Sequence, residues 1–275
     1  MLTRSLVTAA AMVSIGSALG CGSPATDGAG GGATSAANGA SQTAASAGIG
    51  ATTSSSATSS ASGGGSTGAG TGGGSGVPTA ADLLALTTQC NQLSNGFFKA
   101  DSGASSTANI PICGLVGAVF WKADMDIDCD GKMTTQCNLQ TDPAYQNQTA
   151  ASDSNGNALD AANLPYVVIP GSSIRFNYTA NGLHMGSVVA VIYNGKVAYG
   201  VSGDSGPSAI IGEASYAMAS ALGINPNPST GGVDSGVTYI AFTGAGGVSA
   251  PIENATHTTM LGETLAATLV ANGGL

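Results

Sequence analysis

Asp204 and Glu213 are the acidic residues whose types and spacing are best suited to chemistry. They lie on the two sides of a glycine-rich stretch, residues 203–215 (GDSGPSAIIGEAS). Glycoside hydrolysis needs one protonated carboxyl that donates to the leaving oxygen and one carboxylate that activates water. Two acids on the sides of one loop can face a common cleft while differing in burial, which separates their pKa values. Glu213 has small and apolar neighbours in the chain, so burial should raise its pKa.

The residues alone leave two other interpretations of this stretch open. The string GDSGP resembles the nucleophile segment GDSGGP of serine proteases, but one glycine is missing. A serine nucleophile also needs a histidine base held by a third group, and neither His184 nor His257 has the flanking residues of that class. In the second reading, Glu213 is an N-terminal helix residue favoured by the helix dipole and Asp204 is a turn residue.

Residues 124–131 (DMDIDCDG) form a second acidic pattern. In an extended strand the four aspartates would point to one face, where their charges repel one another unless cations compensate them. Such a face could bind the ammonium groups of a substrate. It could also bind calcium, because residues 126–131 match the start of an EF-hand loop. Cys137, however, occupies the twelfth loop position, where a glutamate is needed. An irregular calcium site and a solvated acidic edge stay open.

The charge balance restricts the partners of the chain. Its 275 residues contain 15 acidic and 6 basic side chains, with a formal net charge of -9. Such a protein has no electrostatic basis for binding nucleic acid or an anionic membrane surface. It would attract a polycation.

The chain divides by composition into three parts. Residues 1–20 have one early positive charge and an apolar stretch, as in a secretory signal peptide. Residues 18–21 resemble a bacterial lipobox, which predicts lipidation of Cys21 and a possible outer-membrane anchor; ordinary cleavage and free secretion are the alternative. Residues 21–77 are rich in Gly, Ser, Ala and Thr and should form a disordered linker. Residues 78–275 are long enough for one domain with its own core.

Four cysteines in this domain, Cys90, Cys113, Cys129 and Cys137, predict two disulfides in an exported protein. Three pairings are possible, and we favour Cys90 with Cys113 and Cys129 with Cys137. A zinc site is disfavoured, because the sequence has no CxxC motif and no histidine near these cysteines.

Short β-rich runs dominate the domain. Asn194-Gly195 separates two of them, which is a strong hairpin signal. Helices are expected at about 78–93 with Thr79 as N-cap, at about 212–222, and at 261–271. This pattern predicts a mainly-β fold with a few peripheral helices. The step from Asp204 to Gly212 resembles a segment of double-psi β-barrels, so we expect a compact, double-psi-like β-barrel.

Five long strings carry a family resemblance. They are residues 117–131 (GAVFWKADMDIDCDG), 164–170 (LPYVVIP), 191–207 (VIYNGKVAYGVSGDSGP), 211–224 (IGEASYAMASALGI) and 236–244 (GVTYIAFTG). Together they resemble the fungal-type chitosanases of glycoside hydrolase family 75. The resemblance implies that Asp204 and Glu213 are the essential pair of an inverting enzyme that cleaves glucosamine polymers without a metal. It further implies that the acidic strand lines glucosamine subsites.

These observations combine into one expectation. The chain should be an endo-acting, monomeric hydrolase that cleaves β-1,4 linkages of chitosan without a cofactor, secreted or held on a bacterial surface. Asp124, Asp126, Asp128, Lys122 and Tyr199 are expected to bind the substrate. A peptidoglycan-cleaving envelope enzyme and a non-catalytic carbohydrate-binding surface lipoprotein are the alternatives.

Overall fold

The strands form one sheet that closes on itself. The computed structural model describes residues 76–274. Within them the strands are β1 (Asn91–Gln92), β2 (Cys113–Leu115), β3 (Ala118–Asp128), β4 (Tyr166–Pro170), β5 (Val188–Tyr193), β6 (Lys196–Gly206), β7 (Glu213–Ser215) and β8 (Val233–Phe242). The strand order is β1-β2-β3-β7-β4-β6-β5-β8, and β3 also pairs with β8. This extra pairing closes a six-stranded barrel from β3 to β8, with β1 and β2 extending from β3.

Strands β5 and β6 form the hairpin that the sequence predicts. They pair antiparallel from Val188↔Val201 to Tyr193↔Lys196. The connecting Asn194 and Gly195 both have positive φ, 47° and 75°, as a two-residue turn between twisted strands requires.

Both faces of β5 are buried, which explains its continuous apolar sequence. Val189 and Val191 pack in one cluster with residues from the other barrel strands, including the stacked rings of Trp121 and Tyr239. The alternate residues of β5 join a second cluster with residues of the helices on the outside of the sheet. Successive side chains of a strand point to opposite faces, so a strand covered on both sides must be apolar throughout.

Three α-helices lie among the described residues: α1 (Ala80–Leu86), α2 (Tyr216–Leu222) and α3 (Ala255–Ala271). Thr79 caps α1, where its hydroxyl accepts from the Asp82 N–H and the Asp82 carboxylate accepts from the Thr79 N–H. This reciprocal pair satisfies two N–H groups that the helix leaves open. Helix α3 packs against β5 and β6.

The structure corrects three helix boundaries. Helix α1 ends at Leu86 rather than near residue 93, and α3 begins at residue 255 rather than 261, capped by the Asn254 side chain. The third correction concerns the helix expected from about residue 212. It begins only at Tyr216, because residues 213–215 pair as β7 with both β3 and β4. Ser215 is the N-cap, and its hydroxyl accepts from the Met218 N–H.

The two disulfides join Cys90 to Cys113 and Cys129 to Cys137, the pairing favoured from the sequence. The prediction of a compact, mainly-β barrel with peripheral helices and two disulfides is therefore confirmed. No helix in the described part of the chain has the length and apolar character to cross a membrane. The signal peptide, Cys21 and nearly all of the linker lie outside the described residues, so those assignments stay predictions.

Candidate active site

A cleft of about 300 Å³ opens where the ends of β3 and β6 meet β7. Seven carboxylic acids line it: Asp101, Asp126, Asp128, Asp130, Asp142, Asp204 and Glu213. The lining residues within the described chain include no Lys, Arg or His. The cleft therefore presents a concentrated negative charge to whatever enters it.

Sheet pairing positions the two acids of the glycine-rich stretch. Val168 on β4 pairs with Asp204 on β6 and with Glu213 on β7. Glu213 in turn pairs with Asp126 on β3. Neighbouring strands lie ~4.8 Å apart, so the backbones of Asp204 and Glu213, two strands apart, are separated by roughly 10 Å. Directly paired residues project to the same face of a sheet, which brings both carboxyls to the cleft.

A β-bulge at Gly203 sets the direction of Asp204. Val167 pairs with Ser202 and Val168 with Asp204, so Gly203 is an extra residue in β6. A Cβ on Gly203 would lie 2.7 Å from the Tyr166 Cβ and 2.8 Å from the Leu159 Cδ1. Only glycine fits this close approach. Bulges of this kind occur beside active sites, where they redirect a side chain.

Asp204 is buried and receives two backbone hydrogen bonds. The N–H groups of Ala150 and Ser205 donate to its Oδ1 at 2.8 and 2.7 Å. Burial raises the pKa of Asp204, and these two N–H groups act against that rise. Hydrogen bonds to a carboxylate favour its ionised form, so the backbone around Asp204 supports a carboxylate that acts as a base.

Glu213 has a different environment. Burial, followed by the charges of Asp126, Asp130 and Asp204, raises its pKa to about 7. A carboxyl with such a pKa retains its proton at mildly acidic pH and can donate it. The two acids therefore differ in the way that acid and base partners in one site must differ.

Asp124, Asp126 and Asp128 lie on one face of β3, as the alternation predicts, because Ala123, Met125 and Ile127 pack in the core on the other face; Asp130 lies past the end of the strand. The pairing of β3 with β8 shifts register between Ala123 and Met125, where residues 234–236 of β8 lie opposite Asp124. Asp124 is buried and does not line the cleft. Burial, followed by the charge of Asp126, raises the pKa of Asp124 to about 8. Asp126 and Asp128 belong to β3, so residues 126–131 do not form an EF-hand loop.

Asp128, Asp130 and Asp204 form a compact acidic group in the cleft. Carboxylate oxygens of these three residues lie within 4.8 Å of one another. The Asp128 Oδ1 accepts from the Asp130 N–H at 2.7 Å, and the Asp130 Oδ1 accepts from the Gln146 N–H at 2.6 Å. Burial raises the pKa of Asp130 to about 7. Burial also raises the pKa of Asp128, together with the charges of Asp130 and Asp204.

Lys122 and Tyr199, which we expected to bind substrate, do not line the cleft. Lys122 is exposed and lies four residues before Asp126 on β3, ~13 Å along the strand. Tyr199 lies five residues before Asp204 on β6, and its ring packs against Gly262 of α3. Their expected role is therefore corrected: residues of the same strands lie too far along the chain to share the site.

Ser205 lines the cleft, but neither described histidine does. Ser205 therefore has no histidine base in the cleft, which excludes the serine-protease interpretation. Asp101 and Asp142 are cleft residues that no sequence pattern indicated. Each is an isolated aspartate in a loop, and no spacing signal connects either residue to Asp204 or Glu213.

The chain is similar to one family of known proteins. The family described as fungal chitosanase of glycosyl hydrolase group 75 matches residues 125–273, which include both Asp204 and Glu213. Endo-chitosanase B of Aspergillus oryzae is 34% identical over 161 residues, covering 52% of this chain and 67% of that protein. An endo-chitosanase of Aspergillus fumigatus is 36% identical over 139 residues, covering 46% and 58%.

A third relative, endo-chitosanase C of Aspergillus oryzae, is 39% identical over 135 residues, covering 46% of this chain and 32% of that protein. Among solved structures, the Streptomyces papain inhibitor aligns with 45% of this chain and 94% of its own, at 19% identity and a TM-score of 0.28. A similarity this weak carries no argument.

Proposed function

The chain belongs to group 75 of the glycosyl hydrolases, the fungal chitosanases, and from this premise we propose that it hydrolyses β-1,4 linkages between the glucosamine units of chitosan. We propose cleavage within the polymer, in keeping with relatives that are named endo-chitosanases. The observation that carries the proposal is the placement of Asp204 and Glu213 on the two sides of Val168 at the acidic cleft.

In the proposed mechanism Glu213 is the general acid. Its carboxyl donates a proton to the glycosidic oxygen as the bond between that oxygen and C1 breaks. The raised pKa of Glu213 supports this role, because the group must be protonated before the bond breaks.

Asp204 is the general base of the same step. Its carboxylate orients a water molecule and takes a proton from it, while the water oxygen forms the new bond to C1. The two backbone N–H groups that donate to the Asp204 Oδ1 support the ionised form that this role requires.

We further propose that the reaction inverts the anomeric centre. Inverting enzymes hold their two carboxyl groups roughly 6.5–9.5 Å apart, which leaves room for a water molecule, whereas retaining enzymes hold them about 5 Å apart. The backbones of Asp204 and Glu213 lie two strand spacings apart, roughly 10 Å. We infer that their carboxyl groups, which project to the same cleft, are far enough apart for the inverting arrangement.

The negative charge of the cleft supports a cationic substrate. We propose that Asp126 and Asp128, which line the cleft, pair with glucosamine ammonium groups. An N-acetylated sugar carries no such charge, so these contacts favour deacetylated polymer. Asp124 is buried beneath the cleft, and we assign it no contact with substrate.

The two disulfides agree with an extracellular enzyme, because such bonds persist in oxidising compartments. We retain the proposal that Cys21 anchors the protein to a bacterial surface through lipid. Mass analysis of the N-terminal peptide from the producing cells tests it: the diacylglyceryl mass on Cys21 supports the anchor, and an unmodified Cys21 rejects it. We also retain the expectation of a monomer.

One assay tests the proposed function against its alternatives. The protein is incubated with fully deacetylated chitosan, chitin and peptidoglycan, and released oligosaccharides are measured, with Glu213→Gln as the inactive control. We expect release from deacetylated chitosan. Release only from peptidoglycan would instead indicate the envelope enzyme, and binding to chitosan without release would indicate a non-catalytic binding protein.

A further inference from the structure

Another group of carboxylates lies beside the catalytic pair, and only its Asp126 has a part in the proposed function. It consists of Asp101, from the loop before β2, with Asp124 and Asp126 of β3. One carboxylate oxygen of each residue lies within 4.8 Å of those of the other two. Asp126 pairs directly with Glu213 on the neighbouring strand, so this acidic group adjoins the acid of the reaction.

Asp124 shows that the group is incomplete without a ligand. Its side chain is only 5% exposed, and its Oδ1 is buried without a hydrogen-bond partner among the described residues. A buried carboxylate oxygen with no partner carries the full cost of its lost hydration. The nearby charges of Asp101 and Asp126 increase that cost. One cation held between the three carboxylates would offset the cost of burying the Asp124 carboxylate and the repulsion among the three charges.

We propose that Asp101, Asp124 and Asp126 form a binding site for a divalent cation, of which Ca²⁺ is the best match. Ca²⁺ binds hard oxygen ligands at about 2.3–2.6 Å, so oxygens on opposite sides of the ion lie up to about 5 Å apart. The three carboxylate oxygens, all within 4.8 Å of one another, are close enough to bind one such ion. Main-chain oxygens and water can supply the remaining ligands.

The close packing around Asp124 favours a bare ion over a substrate ammonium group at this position. Gly212 lies against the carboxylate, and a Cβ there would be 2.0 Å from the Asp124 Oδ1. An ammonium group brings a sugar ring with it, and the ring needs open space on the side from which the group enters. A metal ion needs only the space between its ligands.

The ion would have a structural role. It would connect the Asp101 loop to β3 and reduce the negative charge beside Glu213. Each of the three residues contributes one oxygen to the group, so the site uses one oxygen of Asp126 and leaves its place in the cleft lining unchanged. The proposal therefore requires no metal in the hydrolytic step and does not depend on the substrate.

Terbium luminescence tests the site directly. Tb³⁺ replaces Ca²⁺ at oxygen sites and emits when a nearby aromatic ring is excited. The Tyr239 hydroxyl donates to the main-chain oxygen of Asp124 at 2.7 Å, and the Tyr239 ring stacks on Trp121, the single Trp of the chain. We expect saturable emission from the chelator-treated full chain when Trp121 is excited. Added Ca²⁺ should displace it with a dissociation constant on the order of 10⁻⁴–10⁻³ M, as in other extracellular calcium sites.

Variants identify the ligands. Asp101→Asn, at an exposed position, should weaken Tb³⁺ binding at least about tenfold, because ligand charge sets the affinity. Asp142→Asn, in the same cleft but outside the group, and Asp130→Asn, in the other acidic group, should bind as the wild type does. Ca²⁺ should also raise the midpoint of thermal unfolding of the wild type, and not that of Asp101→Asn. The absence of saturable emission, or an Asp101→Asn titration equal to that of the wild type, overturns the proposal.

Discussion

Asp204 and Glu213 are both paired in register with Val168, one from β6 and the other from β7. Their separation is therefore set by two strand spacings and not by the loop that joins them in sequence. A sheet holds this distance more firmly than a loop does. The same arrangement provides each acid with its own surroundings: backbone N–H donors at Asp204, and burial beside other carboxylates at Glu213.

This separation predicts the stereochemistry of the product. Hydrolysis of the β-linked polymer should first release the α-anomer, because water attacks from the face opposite the leaving group. Proton NMR of the anomeric region, recorded within the first minutes and before mutarotation, measures the ratio. A product that begins as the β-anomer would mean a retaining enzyme and a covalent intermediate.

The pKa of Glu213 predicts the upper limb of the pH–activity profile. A general acid must be protonated, so kcat/KM should fall as the pH rises through about 7. The charge of Asp130 is one cause of the raised pKa, so Asp130→Asn should move this limb to lower pH. Initial rates on a soluble glucosamine oligomer between pH 4 and 9, in metal-free buffer, provide the test. Activity that keeps rising above pH 8 would exclude Glu213 as the acid.

The raised pKa values also predict how stability depends on pH. The pKa values of Glu213 and Asp130 are raised to about 7 and that of Asp124 to about 8. The folded state therefore binds protons more tightly than the unfolded chain, so the free energy of unfolding falls as the pH rises. Their contribution should be complete below about pH 4, where these acids are protonated in both states, and lost by about pH 8.

Thermal unfolding in metal-free buffer measures this effect. The midpoint should decrease from pH 4 towards pH 8, and Glu213→Gln should make the decrease shallower, since glutamine does not titrate. The matched variant Glu263→Gln, on α3 away from the cleft, should follow the wild type. An increase of the midpoint over the same range would contradict the assigned pKa shifts.

Substitution of Gly203 should disturb the position of Asp204 without changing any charge. Gly203→Ala forces a Cβ to within 2.7 Å of the Tyr166 Cβ, so the strand must shift and Asp204 with it. We expect a loss of about 1–3 kcal/mol in unfolding free energy, with a fall in kcat. Gly246→Ala is the control, because its Cβ would meet nothing within 4 Å. Equal activity and stability in both variants would mean that the bulge does not position Asp204.

Local signals in the sequence were sufficient for some of these features. Asn194-Gly195 predicted the hairpin, because its turn geometry depends on those two residues alone. Glu213 was misplaced on a helix, since the three residues of β7 are a strand only through their pairing with β3 and β4. Asp101 and Asp142 reach the cleft through long-range packing, and nothing in their local sequence indicates it. The bulge at Gly203 and the register shift of β8 opposite Asp124 likewise depend on partner strands.

The most direct test of the central claim is the rate at which two variants release reducing ends from fully deacetylated chitosan. Glu213→Gln and Asp204→Asn should each lower kcat by about 10²–10⁴-fold, the usual contribution of a general acid or base. Both should fold as the wild type does, and Glu263→Gln should retain full activity. A rate close to that of the wild type in either Glu213→Gln or Asp204→Asn would remove that residue from the chemistry and contradict the mechanism.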